Sequence, residues 1–510
     1  MKPDTNKQIF KCYIKTLSPV HIGCDEVYEP TGFVMNESDR QIVVFNPVDF
    51  IGELSSEDRG RFTSICSKGT VSSILEIYKF LRNRSVSGRK VNVCRGFVDH
   101  YKKTLSMNLN NEKKIQQELN SFAIPRTSFS PSDQRPYIPG SSVKGSLRTA
   151  YTNLMEQKKK LSNSEQKFNR GQDLEKELMD YSRVDDDPFR LVKVSDFMPV
   201  GDARTKIVYG VNVKKKISDK TPRGGAFFFE VIEPGACFEG SISVEQPATG
   251  AGIREPIDLQ ALLAGAFAFY SAENKRESKE LAVVGITSSV KNNTDETLIR
   301  CGRHSGAESV TVDGHRSIRI MGKKGDRPKY SDKATTFWLT SDVKKADNNK
   351  SLKPFGWASI CELTETSQKD FSVKEQEYKK ELDLERQRKI AEAEKRQKIK
   401  LEQAEAEKKK AQEVEEKRIA EEKRKAELEA MTPEDREIEG LKDPNISEEK
   451  INIIFKKIDE FSQSNQQIAG EVIKKFWQSQ HKWVKKDFSS KQWKKWRDKI
   501  NKIKTILDES

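Results

Sequence analysis

The stretch YIPGSSVKGSLRTAY, residues 137–151, decides the fold of this chain. Pro139-Gly140 predicts a turn, because glycine adopts backbone angles that other residues avoid. Ser141 or Ser142 is then predicted to cap a helix by accepting a hydrogen bond from an N–H of the first helical turn. Apolar residues follow at helical spacing and predict one buried helix face: Val143, Leu147, Ala150 and Tyr151.

Two basic side chains lie close to the predicted helix start. Lys144 and Arg148 are four residues apart, so they share one side of the helix. Exposed N–H groups, the positive end of the helix dipole and nearby cations together favour an anion such as a phosphate. The alternative is that Gly140 and Gly145 only let the helix pack closely on a sheet and that the serine is only a cap. The P-loop pattern G-x-x-x-x-G-K-[ST] is absent from this stretch.

The same stretch, with its pattern I-P-G-S-S-x-K-G-x-L-R, resembles the most recognisable motif of the RAMP superfamily, the RRM-like proteins of CRISPR systems. Four further segments resemble that family and occur in the expected order: LSPVHIG (17–23), DPFRLVKVSD (187–196), CGRHSG (301–306) and KPFGW (353–357). The resemblance covers about residues 9–362. It is greatest to the type III-A subunit that caps the 3′ side of the guide RNA.

Alternating helical and strand-like segments, together with the resemblance, predict an α+β chain with two ferredoxin-like or RRM-like domains. Residues 226–232 and 236–244 are predicted to pair as strands around Pro234-Gly235. The predicted domains are a first RRM-like domain at 1–215 with helical insertions at about 47–123 and 156–182, a second RRM-like domain at 216–364, a charged helix or coiled-coil spacer at 365–431 and a small, basic, Trp-rich helical domain at 432–510.

The composition of the chain changes abruptly after Glu362. The next segment consists mainly of Glu, Lys, Arg, Ala and Gln, with few large apolar residues. Acid–base pairs four residues apart recur, as in Glu392–Arg396 and Glu405–Lys409, with the acid in the more favourable N-terminal position. The pattern predicts a charge-stabilised single helix or a weak coiled coil.

The chain has 510 residues and a net charge of +14, which indicates a polyanionic partner. Residues 471–504 alone carry +9 of this charge. Seven scattered cysteines without a C-x-x-C pair indicate a reducing cytoplasm and no structural zinc, and no cofactor is expected. No apolar run of about 18 residues is present, so a soluble protein without a membrane partner is expected.

The basic C-terminal segment interleaves tryptophans with lysines. Aromatic rings can stack on bases while cations hold phosphates, so the segment is predicted to contact nucleic acid. The alternative is that the tryptophans form the core of a small domain whose lysines face solvent, and acidic protein partners would fit the same charge. The residues predicted to make the contact are Trp477, Trp483, Trp493, Trp496, Lys494 and Lys495.

Two loops are predicted to approach RNA. The first follows the opening strand and contains His21 and Asp25, either of which can also serve an RNase, the histidine as a general base and the aspartate by positioning water or a metal. The alternative for His21 is a histidine that only packs locally. The second is the Gly-rich loop at 301–316 with the basic loop that follows it, although ordinary turns are the alternative. With the helix start, these loops complete the predicted RNA-binding set: His21, Ser141, Ser142, Lys144, Arg148, Arg303, His304, Arg316, Lys323 and Lys324.

The resemblance implies a non-catalytic RNA-binding subunit that holds the 3′ part of a crRNA, supports its maturation and serves antiviral defence. The implied partners are crRNA and target RNA, the backbone and small helical subunits of a Csm-type complex, and a host nuclease. The alternative is a RAMP endoribonuclease that cleaves precursor or target RNA with His21 or Asp25.

Overall fold

The structure is a computed structural model, and it describes residues 7–508 except 83, 109–110, 164–167, 169, 218–224, 249, 289, 292–295, 321, 323–324, 326 and 346–348. The chain divides into two compact units. The first unit is Met1–Leu384 and the second unit is Glu385–Ser510. The fold is mixed α+β, with the sheets in the first unit and helices in the second, as the α+β prediction requires.

The strands in chain order are β1 (Lys7–Thr16), β2 (Gly23–Tyr28), β3 (Phe33–Asn36), β4 (Gln41–Val44), β5 (Arg89–Val93), β6 (Ile124–Thr127), β7 (Val192–Val194), β8 (Met198–Val200), β9 (Thr205–Lys214), β10 (Phe227–Ile232), β11 (Cys237–Glu245), β12 (Thr297–Arg300), β13 (Ile318–Ile320), β14 (Lys329–Ser331), β15 (Thr336–Ser341), β16 (Lys353–Pro354) and β17 (Trp357–Glu362). The helices are α1 (Pro47–Glu53), α2 (Ser56–Cys66), α3 (Val71–Leu81), α4 (Arg95–Leu105), α5 (Glu112–Asn120), α6 (Gly140–Lys159), α7 (Gly171–Leu178), α8 (Leu259–Val283), α9 (Glu365–Ala430), α10 (Pro433–Glu439), α11 (Glu448–Lys457), α12 (Gln463–Ser479) and α13 (Ser490–Ile506).

The first sheet is antiparallel and joins strands from both ends of the first unit. Its order is β12-β17-β1-β11-β7, and β8 also pairs with β11. Alternation along β1 buries Cys12 and Ile14, the pattern of a strand with one face against the core. Helices α6 and α8 contribute Leu147 and Tyr270 to the same core. The predicted α6 face is therefore buried against this sheet.

The second sheet has the order β16-β15-β9-β5-β4-β3, and β10 also pairs with β9. Its β5–β9 pairing is parallel. Because β1 pairs with β11 and β17 while β9 pairs with β15, both sheets draw strands from the two sides of residue 215. The predicted boundary between residues 215 and 216 therefore does not separate the sheets. The insertion predicted as helical at about 47–123 contains α1 to α5 and also β5.

The predicted pairing of the strands around Pro234-Gly235 is wrong. β10 pairs with β9 in the second sheet, whereas β11 pairs with β1 in the first. The turn itself is present, and Gly235 adopts a φ of +95° that favours glycine. The chain passes from one sheet to the other at this turn, which local alternation does not reveal.

The first turns of α9 are fixed to the first unit. Phe371 is buried and meets the Tyr13 ring edge-on, with 4.9 Å between the ring centroids. The Arg135 guanidinium donates to both carboxylate oxygens of Glu375, each at 3.0 Å, and lies 4.4 Å from the centre of the Tyr378 ring. The helix begins at residue 365 as predicted, but its first turns are part of the folded body rather than a spacer.

In the second unit, α10 to α13 enclose a small apolar core. Ile451, Ile454, Ile473 and Ile503 are buried in it. Thr432 Oγ1 accepts a hydrogen bond from the Asp435 backbone N–H, which fits the predicted helix start at this point. Within the described part of the chain, none of the helices combines the length and the apolar character needed to cross a bilayer.

Candidate functional site

The five motif segments, which lie far apart in the sequence, converge in the folded chain. The backbone N–H of Gly356 donates to Pro19 O, and the N–H of Cys301 donates to Gly356 O, both at 2.9 Å. The N–H of Arg303 donates to His21 O at 2.8 Å. These bonds join the segments 17–23, 301–306 and 353–357 into one unit, although more than half of the chain separates the first from the last.

Helix α6 joins this unit through its buried side. Ser146 Oγ donates to Arg300 O at 2.7 Å, and Tyr270 Oη of α8 donates to Ser146 O at 3.1 Å. The fifth segment, 187–196, meets the start of α6, where the Gly140 N–H donates to Asp196 Oδ1 at 2.8 Å. The other four segments are therefore bonded to the first turns of α6, directly or through one another.

The start of α6 differs from its prediction. The helix begins at Gly140 with Pro139 as N-cap, and Ser141 and Ser142 lie inside the first turn. The Asp196 carboxylate accepts from the first N–H, so it occupies the position where a phosphate was expected. A Cβ on Gly140 would lie 2.3 Å from Val194 O. The alternative that Gly140 serves close packing is therefore confirmed, because only glycine fits against β7.

A groove of about 430 Å³ opens beside the second turn of α6. Gly145 faces it with open space where a Cβ would be. Its lining combines glycines and apolar residues with the hydroxyl residues Ser141, Ser142 and Thr149 and the exposed Arg303, whereas Tyr270 and Arg300 line it as buried residues. Hydroxyls and guanidiniums are the groups that bind ribose oxygens and phosphates.

Arg303 is the exposed cation of the groove. Its side chain is 58% exposed, and Nη2 donates to Asp25 Oδ1 at 3.2 Å. A Cβ on Gly23 would lie 2.6 Å from the guanidinium carbon, so the glycine makes room for this arginine. Asp25 itself is 93% exposed, and it adopts a φ of +60°, which is uncommon for residues other than glycine. The structure thus brings Arg303 and Asp25 together at one rim of the groove.

Lys144 and Arg148 lie outside the groove lining. Arg148 donates to Glu175 and Asp187, each at 2.9 Å, and lies over the Phe189 ring. This ion pairing corrects the prediction of a phosphate-binding Arg148, since both carboxylates would have to be displaced. Lys144 is half-buried, and burial together with the cations Lys193 and Arg148 lowers its pKa below the ordinary value of 10.5.

The prediction that His21 reaches RNA from a loop is wrong. The side chain is fully buried, and Nδ1 donates to Glu230 O at 2.7 Å. Its ring stacks on His304, with 6.3 Å between centroids. His304 is in turn enclosed by Phe229 and Trp338, both at 4.7 Å. The two histidine rings pack beneath the backbone of the loop that carries Arg303, so they stabilise this loop and do not face solvent.

Burial makes this histidine pair sensitive to acid. Burial, the neighbouring His21 and Arg303 lower the pKa of His304 from 6.5 to about 4, and burial also lowers the pKa of His21. The unfolded chain therefore binds more protons than the folded chain between these values. The stabilisation is complete above about pH 6.5 and is lost as the pH falls towards 4.

We expect replacement of His304 by asparagine to reduce this loss. Asparagine does not titrate and tolerates the positive φ of +66° at this position. Urea unfolding at successive pH values should show the native chain losing about 1–2 kcal/mol more than His304→Asn between pH 6.5 and 4. Parallel stability curves for the two proteins would contradict the assignment.

A buried ion-pair layer beneath the groove was not predicted from the sequence. Arg300 Nη1 donates to Glu277 Oε1 at 2.5 Å, and Trp357 Nε1 donates to Glu277 Oε2 at 2.6 Å. Arg316, predicted to touch RNA, instead pairs with Glu273 at 2.8 Å and is nearly buried. The sequence signal for these pairs is a charged residue among apolar ones, namely Arg300 in β12 and Glu273 and Glu277 in α8. Lys323 and Lys324 lie outside the described residues.

The C-terminal tryptophans belong to the core of the second unit. Trp477 and Trp483 are 1% and 9% exposed. Trp493 and Trp496 pack on Phe488, with centroid separations of 5.8 and 5.6 Å. Lys494 and Lys495 are exposed. Burial of Trp477 and Trp483 corrects the prediction that these two rings stack on bases and fits the alternative of a tryptophan core, whereas the predicted contact through Trp493, Trp496, Lys494 and Lys495 stays a prediction.

The described residues offer no site for a metal ion formed by three or more His, Cys, Asp or Glu side chains. The cysteines at positions 12, 24, 66, 94, 237, 301 and 361 are all free thiols.

Comparison with known proteins identifies relatives of the body of the chain. A family model described as the RAMP superfamily matches residues 13–282. No curated protein matches the chain. A chain of the cryo-EM structure of a Csm-crRNA-target RNA ternary complex from a type III-A CRISPR-Cas system is similar at 18% identity and a TM-score of 0.45, covering 69% of this chain and 100% of that chain. The crystal structure of T. onnurineus Csm5 is similar at 16% identity and a TM-score of 0.41, covering 68% and 99%.

Proposed function

Because this chain belongs to the RAMP superfamily, we propose that it is a non-catalytic RNA-binding subunit of a type III-A CRISPR effector ribonucleoprotein. In this role it caps the 3′ part of the crRNA and supports maturation of that RNA. Its partners are crRNA, target RNA and the other subunits of a Csm-type complex. Recruitment of a host nuclease is part of the same proposal.

One observation carries this proposal. Three segments that are distant in sequence, 17–23, 137–151 and 301–306, line a single groove, and its exposed cation is Arg303. Hydroxyl groups of α6 face the same groove. An exposed guanidinium can bind a phosphate, and serine and threonine hydroxyls can bind ribose or phosphate oxygens. The groove therefore suits the backbone of a single RNA strand.

In the proposed fold the first sheet is an RRM-like platform. The order β7-β11-β1-β17, with α6 between β1 and β7 and α8 between β11 and β17, supports a β-α-β-β-α-β connection. The second sheet would be the second RRM-like part, and α9 would be the spacer or coiled-coil segment. The groove lies beside the first turns of α6.

The proposal is tested by the guide RNA of the assembled complex. Complexes prepared with and without this chain should carry guides of different 3′ length, because an uncapped 3′ part is exposed to trimming. Sequencing of the guide 3′ ends measures this difference. Complexes with identical 3′ ends would remove the capping role.

A RAMP endoribonuclease is the second candidate, and Asp25 is the residue that favours it. Asp25 is exposed at the rim of the groove with a strained backbone, and such strain clusters at functional sites. The burial of His21 counts against a general base at that position. A cleavage assay on precursor and target RNA distinguishes the candidates: cleavage that is lost in Asp25→Asn would establish the enzyme, since asparagine preserves the backbone conformation. Intact RNA after incubation with the native chain supports the binding role.

A further inference from the structure

Charge is segregated in the C-terminal part of the chain. Helix α9 carries 19 Lys+Arg and 19 Asp+Glu, so its net charge is zero. Residues 433–470 carry 5 basic and 9 acidic residues, a net charge of −4, whereas residues 471–504 carry 12 and 3, a net charge of +9. A polyanion is therefore attracted to the basic residues 471–504 and not to α9 or to residues 433–470.

Five exposed lysines form what we call the lysine face: Lys485, Lys486, Lys491, Lys494 and Lys495. The last three are spaced i, i+3 and i+4 in α13, so they share one side of that helix. In the part of the chain that the structure describes, none of the five forms an ion pair. Other lysines of the domain are neutralised, as in the pairs Lys482–Glu448 and Lys502–Asp459. The lysine face therefore presents uncompensated positive charge.

The surroundings of the lysine face indicate the class of its partner. Protein interfaces obtain most of their energy from aromatic and arginine anchors that become buried. Here Trp477 and Trp483 are already buried in the domain core, and Trp493 and Trp496 pack against it. A surface of lysines without an aromatic anchor suits a partner that supplies only repeated negative charge. The phosphate backbone of a nucleic acid has that property.

We propose that the lysine face binds the phosphate backbone of single-stranded RNA without reading its bases. This function goes beyond the guide-capping role of the first unit, because it belongs to a domain outside residues 13–282, where the family match lies. Trp477 and Trp483 are buried, and Trp493 and Trp496 pack on the domain core, so affinity comes mainly from lysine–phosphate contacts. Binding is then strongly dependent on salt and indifferent to sequence.

The test uses the full chain and a fluorescent oligouridylate of about 20 nucleotides. All proteins carry Arg303→Glu, which suppresses binding in the groove. The triple variant Lys491→Glu, Lys494→Glu, Lys495→Glu is compared with a matched control, Lys408→Glu, Lys409→Glu, Lys410→Glu, which makes the same charge change at exposed positions of α9. Fluorescence anisotropy is measured from about 50 to about 300 mM salt.

The triple variant should bind at least about tenfold more weakly at low salt, and the slope of log affinity against log salt should fall by about 2, because each lost contact contributes about 0.7. The control should change affinity less than about threefold, since its lysines lie in a neutral helix. An equal loss in both variants would show a general charge effect and overturn the proposal. Unchanged binding by the triple variant would overturn it as well.

Two further probes distinguish the other partner classes. Oligoadenylate and oligocytidylate of the same length should bind within about threefold of oligouridylate, and a preference above about tenfold would contradict backbone recognition. Polyglutamate should compete weakly. If polyglutamate binds as tightly as RNA through the same lysines, the partner is an acidic protein and the proposal fails. The lysine face could instead hold the acidic residues 433–470 of a second copy. Sedimentation should then show a dimer that the triple variant loses, and that result would also overturn the proposal.

Discussion

Replacing Glu277 by alanine should destabilise the first sheet by about 3–5 kcal/mol, the largest loss of stability that we expect from a single substitution in this chain. The carboxylate accepts from Arg300 and from the Trp357 indole N–H, and all three side chains are buried. Its removal leaves a guanidinium and an indole N–H without their partner in a dry interior. The groove should also be disturbed, because Arg300 is one of the residues that line it.

Amide hydrogen exchange in β17 measures this effect. A loss of about 3–5 kcal/mol corresponds to exchange that is about 100- to 1,000-fold faster or more in residues that open with the sheet. Lys279→Ala, an exposed change on the same helix α8, is the matched control and should leave the rates within about threefold. Equal protection in the native chain and Glu277→Ala would show that the buried pairs do not hold the sheet together.

Replacing Arg303 by glutamate should weaken guide RNA binding by about 10- to 100-fold at low salt. The change removes the exposed cation of the groove and places the introduced carboxylate beside that of Asp25, so the rim of the groove then repels a phosphate. The slope of log affinity against log salt should fall by about 0.7, the contribution of one phosphate contact to a single strand. Filter binding of the guide to the purified chain measures both quantities.

Arg204→Glu is a matched control for this prediction. Arg204 is also an exposed arginine of the first unit, it also pairs with a nearby aspartate, Asp202, and it does not line the groove. Its replacement should change guide affinity less than about threefold. If both variants lose affinity equally, the effect reflects total charge, and Arg303 has no special position in RNA binding.

Membership in the RAMP superfamily was predictable from the five segments, and it is confirmed by the match over residues 13–282. A short motif can indicate a local packing requirement. Gly140 is an example, because a side chain there would collide with Val194 O, and the glycine is visible in the sequence as part of the motif. The mixed α+β class followed from local patterns of alternation and helical spacing. The extent of α9, Glu365–Ala430, followed from its composition.

The partners of each element were not predictable from local patterns. Tyr13 of β1 pairs with Cys361 of β17, and no local signal connects two strands so distant in sequence. For the same reason the predicted boundary at residue 215 does not divide the sheets. The partners of charged residues were not predictable for the same reason. In the sequence Arg148 and Arg303 look equally suited to bind phosphate, and only the folded chain shows that Arg148 is paired with Glu175 and Asp187.

The central claim is that the groove beside α6 holds the guide RNA. Ultraviolet crosslinking of the assembled complex, followed by mass spectrometry of the crosslinked peptides, tests it most directly. We predict crosslinks to peptides that contain the residues around the groove, namely 17–23, 141–149 and 300–305. Efficient crosslinking of guide RNA to this chain with every crosslinked peptide outside those three segments would contradict the claim.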